Sequence, residues 1–172
     1  MASIQASIQS VIKPATWIPG IRNFHSEVHE WNFNVGVDEA MDTIWAAAKA
    51  LDGYVPRKFN KAGRTMVVDF LTKAKWLDQI KISFVSSSNG GCVARLFNCS
   101  TGFLPCIIPL APLINIPLTI LPFGDGGKCA AAMQTLRKKG EETTPIGLKV
   151  IRKSITNPKM AKQTDLSNGL QS

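Results

Sequence analysis

Hydrophobic and polar residues follow two different periods along the first two thirds of the chain. Apolar residues three and four positions apart predict helices over 1–12 and 38–51, the second opened by acidic residues and followed by Gly53. Alternating or β-branched segments predict strands at 28–35, 54–60, 64–72, 78–86 and 92–100. The Asn89-Gly90 pair is typical of a tight hairpin turn.

The run from Phe103 to Phe123 has no charged residue and contains five prolines. About 20 apolar residues could cross a bilayer as a helix. Each proline inside a helix costs roughly 3 kcal/mol, so we expect an extended backbone with polyproline-like and turn segments. This insert has three placements open to it: a lid over its own domain, a shallow membrane contact, or burial against another protein chain.

A glycine-rich connection follows the insert and leads into a predicted helix over 128–139, which we expect Gly140 to end. Together these elements predict an α+β fold: an antiparallel sheet of about four to five strands, packed by helices 38–51 and 128–139. Three segments are expected, namely an amphipathic segment 1–22, a single domain 23–151, and a basic polar tail 152–172 that we expect to be disordered.

The net charge is +8, and it is concentrated near the C-terminus. Residues 128–172 hold nine basic and three acidic side chains, a balance of +6. A basic segment beside an apolar loop suits an anionic membrane surface, and it also suits nucleic acid or an acidic protein. The segment lacks interleaved aromatic residues, which disfavours nucleic acid.

The cysteines favour a reducing environment. Cys92, Cys99, Cys106 and Cys129 form no CxxC pair, and their spacings do not match a zinc site. We expect small buried hydrophobic side chains. No secretory signal is recognised at the N-terminus, so the expected location is intracellular, either cytoplasmic or associated with an organelle membrane.

Two clusters could hold an ion. His25, Glu27 and His29 alternate on a predicted strand, but they are too few for a closed metal site, and we expect a surface pair and no metal. The glycine-rich connection fails as a nucleotide-binding loop because Pro122 and Cys129 occupy two required positions. It could still bind an anion such as a lipid phosphate. The candidate residues are Gly126, Gly127, Lys128, Arg137, Lys138 and Lys139. No cofactor is expected.

Residues 28–139 resemble a family of uncharacterised bacterial and plastid domains. The matching residues are Val37, Ala40, Ile44, Trp45 and Leu51 on the helix, then Gly53-Tyr54, Gly63-Arg64, Asp78 to Ile82, and Ser100-Thr101-Gly102. The resemblance implies an α+β fold and no known chemistry, and the family has a short loop where this chain has 103–123. The first strand and helix also look like the start of the helix-grip lipid-binding folds.

Three functions remain open, and an enzyme is the least supported class. The first is a peripheral membrane or lipid-binding protein whose insert contacts the bilayer while the basic segment holds anionic headgroups. The second is a structural protein whose insert is buried at a subunit or partner interface, and the third binds an apolar small molecule. The binding residues expected in the insert are Phe103, Leu104, Ile107, Ile108, Leu113, Ile114, Ile116, Ile120, Leu121 and Phe123.

Overall fold

A computed structural model describes residues 2–11, 26–118, 127–143 and 149–153. Six antiparallel strands form one sheet in the order β2-β3-β4-β5-β1-β6. The strands are β1 (Ser26–Phe33), β2 (Tyr54–Asn60), β3 (Thr65–Leu71), β4 (Leu77–Ser86), β5 (Cys92–Ser100) and β6 (Lys149–Lys153). The helices are α1 (Ala2–Val11), α2 (Val37–Ala50), α3 (Ala111–Leu118) and α4 (Lys128–Thr143).

The main core lies between one face of the sheet and helices α2 and α4. Trp31 and Phe33 of β1 point into it, as the alternation of that strand predicts. The predicted stripe of α2 faces the same core through Met41 and Ile44. Tyr54 ties the edge strand β2 to α4, because its hydroxyl donates to the carbonyl of Ala132 at 2.6 Å. The predicted α+β class is therefore confirmed.

The strand pairing defines two ends of the sheet. The residues at one end are Ser26, Tyr54, Leu71, Leu77 and Ser100, and we call it the insert end because the insert begins directly after β5. Helix α2 starts at the far end, after β1, and its fourteen residues run back over about 20 Å. Its acidic residues Asp38, Glu39 and Asp42 therefore lie at the far end.

Three local expectations need correction. The sheet has six strands rather than four to five, because β6 adds an edge beside β1 and includes Arg152 and Lys153 of the expected tail. Helix α4 continues through Gly140 to Thr143. A glycine in a helix costs only about 1 kcal/mol, so it does not by itself end the helix. Residues 144–148 and the rest of the tail, 154–172, lie outside the described residues.

Candidate functional site

Helix α1 packs on the face of the sheet opposite α2 and α4, and it does so with its polar side. Gln9 is fully buried, and its amide nitrogen donates to the Thr101 hydroxyl at 3.0 Å. The Cys106 thiol lies 3.4 Å from the Gln9 amide oxygen and donates to it. Ile4 and Ile8, which belong to the apolar stripe predicted for this helix, are exposed instead.

The described part of the insert lies beside α1 and, like α1, buries polar side chains and exposes apolar ones. Asn115, its one amide, is buried; its side-chain oxygen accepts from the Leu104 N–H at 2.7 Å, and its nitrogen donates to the Leu104 carbonyl. Cys106 and Ala111 are also buried. The Gln5 amide lies 2.7 Å from the carbonyls of Cys106 and Ile108 and satisfies both as a donor. Small and polar side chains therefore close the described part of the insert on itself and join it to α1.

The expectation of a wholly extended insert is wrong over Ala111–Leu118, where the chain forms α3. The prolines sit where a helix tolerates them. Pro112 occupies the first turn, in which the N–H has no partner within the helix. Pro117 lies next to the last residue, so it interrupts only the final turn.

Most backbone N–H groups in the first half of the insert already donate a hydrogen bond within the protein. Of the eleven residues 104–114, three are prolines, and six others donate their N–H within the protein. The donors include Cys106, whose N–H bonds to the carbonyl of Lys75, and Leu113 and Ile114, which both bond to the carbonyl of Leu110. Because few N–H groups of this segment depend on water, its backbone donors add little to the desolvation cost of moving it into an apolar phase.

The large apolar side chains of both elements face solvent. This apolar surface consists of Ile4, Ile8, Phe103, Ile107, Leu110, Leu113, Ile114 and Ile116, which are 37% to 65% exposed. It contains five of the ten insert residues predicted to bind. Leu104 and Ile108 are half-buried and are therefore not counted in this surface. Ile120, Leu121 and Phe123 lie outside the described residues. Leu110 escaped the prediction, although it is 64% exposed and has a left-handed backbone (φ 59°).

The β3–β4 turn, residues 72–76, adjoins the insert. The Trp76 indole N–H donates to the Phe103 carbonyl at 2.8 Å. Lys128, at the start of α4, places its ammonium 4.4 Å from the centre of the Trp76 ring. Lys73, Lys75 and Lys128 are exposed, and no ion pair involves them within the described ranges. No sequence pattern had pointed to Lys73 or Lys75.

The predicted anion-binding residues of α4 do not form one cluster. Lys128 and Arg137 are nine positions apart on the helix, a rise of about 13 Å. Arg137 pairs with Glu141, and Lys139 pairs with Glu142, so two of the cations are engaged by acids of the same helix. Gly126 lies outside the described residues, and Gly127 is exposed with a left-handed backbone.

A second polar cluster lies inside the domain at the insert end. His29 is buried with Nε2 3.1 Å from the Glu27 carboxylate, which corrects the expectation of a surface pair. Asn98, opposite Glu27 on β5, donates to the Cys129 carbonyl of α4 at 3.0 Å. In the part of the chain that the structure describes, no group of His, Cys, Asp and Glu could hold a metal ion. His25 lies outside that part.

All four cysteines are buried free thiols, as their sequence context predicts. Burial raises the pKa of Cys92 and of Cys106 to about 11. The thiolate is the reactive form of cysteine, so neither side chain is suited to nucleophilic chemistry at neutral pH.

Comparison with known proteins leaves the function open. No protein-family model matches the sequence, and no curated protein matches it. CalU16 from Micromonospora echinospora is similar over 69% of this chain and 85% of its own, with 12% identity and a TM-score of 0.37. TTHA0849 from Thermus thermophilus is similar over 69% of this chain and 95% of its own, with 10% identity and a TM-score of 0.37. Among the described helices, none has the length and hydropathy needed to span a bilayer.

Proposed function

We propose that this protein binds membranes peripherally, through the apolar surface that α1 and the insert present together. The observation that carries the proposal is the inverted polarity of both elements. Gln9 and Asn115 are buried, while Ile8 and Leu113 of the same helices are exposed. Folding within one chain normally does the opposite, because burying one Ile or Leu contributes about 1.5–3 kcal/mol.

The size of the surface supports reversible binding. Eight side chains, each about half exposed, would contribute roughly 6–12 kcal/mol if they all left water. Association and ordering offset about 4–15 kcal/mol of such a gain. Because the two ranges overlap, the net free energy of binding is small, which suits a protein that exchanges between solution and a bilayer.

The hydrogen bonding of the insert favours a bilayer as the occupant. A protein groove could offer partners to free backbone N–H groups, whereas the hydrocarbon of a lipid cannot. Prolines and internal bonds leave few such groups between 104 and 114. We also propose, from the sequence alone, that the protein is located in the cytoplasm or at an organelle membrane. On the same basis we propose that it belongs to the uncharacterised bacterial and plastid family.

Vesicle co-sedimentation of the full chain tests the proposal. The variant Ile107→Asp/Leu113→Asp places two charges on exposed positions, so folding should persist while binding to phosphatidylglycerol-containing vesicles falls more than tenfold. Val85→Asp/Ser88→Asp is the matched control, because it adds the same two charges at exposed positions at the far end of the sheet. This control should bind like the wild type.

Light scattering of the same proteins without lipid tests whether a second copy of the chain, rather than a bilayer, covers the apolar surface. A monomer that binds vesicles supports the proposal. The proposal is overturned if the wild type binds no vesicles and forms a salt-resistant dimer that Ile107→Asp/Leu113→Asp dissociates. The apolar surface would then be a subunit interface.

A further inference from the structure

We infer that Lys73, Lys75 and Lys128 form a headgroup-binding rim that directs the apolar surface to anionic bilayers. This inference rests on the proposed membrane function and identifies the class of lipid. The sequence predicted that the basic C-terminal segment attracts anionic headgroups. We instead assign that attraction to three lysines that the fold brings together at the insert end. Two of them, Lys73 and Lys75, lie more than fifty residues before Lys128 in the chain.

The turn that carries two of the lysines is held firmly against the insert. Within the turn, the N–H of Thr72 bonds to the Trp76 carbonyl, and the N–H of Lys75 bonds to the Thr72 carbonyl. The Lys75 carbonyl accepts from Cys106, the residue before the exposed Ile107. The backbone of Lys75 is thus fixed beside the apolar surface, and its exposed side chain is long enough to reach phosphates while apolar neighbours enter the bilayer.

Trp76 joins the third lysine to the same place. Its indole donates to the Phe103 carbonyl, and the Lys128 ammonium lies over its ring. Tryptophan is enriched at the membrane–water interface because its ring is apolar and its N–H is polar. The turn, the insert and the first residue of α4 therefore meet around one interfacial side chain.

Among the described residues, no acidic side chain forms an ion pair with Lys73, Lys75 or Lys128. Asp38, Glu39 and Asp42 lie at the far end, and strands β2 to β5, which separate the two ends, are seven to ten residues long. At about 3.3 Å per residue that separation is roughly 20 Å or more, well beyond the screening length of about 8 Å in physiological salt. At the insert end, Asp69 is buried and bonded to Arg57, and Asp78 is also buried. The exposed Asp52 follows α2 at the insert end, on the same side of the sheet as α4, and among the described residues it forms no ion pair with Lys128.

The test compares two triple variants of equal charge. Lys73→Gln/Lys75→Gln/Lys128→Gln removes the rim, and Lys58→Gln/Lys61→Gln/Lys81→Gln removes three exposed lysines elsewhere. Each lysine near an anionic surface contributes about fivefold in affinity, so the rim variant should bind phosphatidylglycerol-containing vesicles about 100-fold more weakly. The control should stay within a few-fold of wild type, and only the wild type and the control should lose affinity steeply as salt is raised.

The lipid composition distinguishes the two proposals. If the wild type binds pure phosphatidylcholine as tightly as anionic vesicles, with no salt dependence, the rim inference is overturned and the membrane proposal stands. If it binds neither kind of vesicle, the membrane proposal itself fails. Equal weakening of both triple variants would also overturn the inference, since net charge rather than the rim would then set affinity.

Discussion

Leu110 offers a single position at which folding stability and membrane binding should change in opposite directions. It lies just before α3, its carbonyl accepts the N–H groups of Leu113 and Ile114, and its φ of 59° is left-handed. A residue with a Cβ in this conformation is less stable than in the right-handed one by roughly 1 kcal/mol, and Asn is the side chain that tolerates it best. The side chain is also 64% exposed, so little packing is lost on replacement.

Leu110→Asn should therefore stabilise the fold by roughly 0.5–1 kcal/mol, which raises the melting temperature of a chain this size by about 1–4 °C. Leaving water completely is worth about 1.5–3 kcal/mol to a leucine side chain, so losing the 64% that is exposed should weaken vesicle binding by about 5- to 30-fold. Differential scanning calorimetry and vesicle co-sedimentation measure the two effects on one preparation.

Leu110→Ala is the matched control because it removes the apolar side chain and keeps a Cβ in the left-handed region. It should weaken vesicle binding to a similar extent without raising the melting temperature. The reasoning is refuted if Leu110→Asn lowers the melting temperature by several degrees, or if it binds vesicles as tightly as wild type. The first result would mean that Leu110 packs in the folded chain, and the second that it stays outside the bilayer.

Three further outcomes follow from the described contacts. Gln9→Ala should lose about 1–3 kcal/mol of contact between α1 and the domain, seen as faster amide exchange in α1, because its partners become unsatisfied; unchanged exchange would contradict this. Tyr54 is the only tyrosine in the sequence, and burial raises its pKa. The folded state should therefore lose stability as the pH rises above the usual pKa of tyrosine, and tyrosinate absorbance should appear only when the protein unfolds at alkaline pH. Cys92 and Cys106 should resist a thiol reagent at pH 8 until denaturant is added, and rapid labelling of the native chain would contradict their burial.

The sequence was sufficient for elements whose signal is local and periodic. Helix α2 and strands β1 to β5 lie within a few residues of their predicted bounds, and Pro56 correctly indicated that β2 is an edge strand. Helix α3 was not predicted, because the number of prolines was taken as evidence against a helix without regard to their positions. Pro112 lies in the first turn, where a proline removes no hydrogen bond of the helix. The rim could not be predicted, because it arises where the turn holding Lys75 meets Cys106, some thirty residues later.

The inverted polarity of α1 and the insert has a thermodynamic consequence for how the two elements are held. Their described hydrogen bonds to the domain include those of Gln9 to Thr101 and of the Cys106 N–H to the Lys75 carbonyl, and small residues such as Ala6 and Ala111 are buried. Each such hydrogen bond contributes only about 1 kcal/mol net. Turning the exposed isoleucines inward would contribute more, so this arrangement leaves stabilisation unused in water. Under the proposed membrane function, that free energy would be released when the apolar surface meets the bilayer, and membrane binding and the packing of α1 and the insert on the domain would reinforce each other.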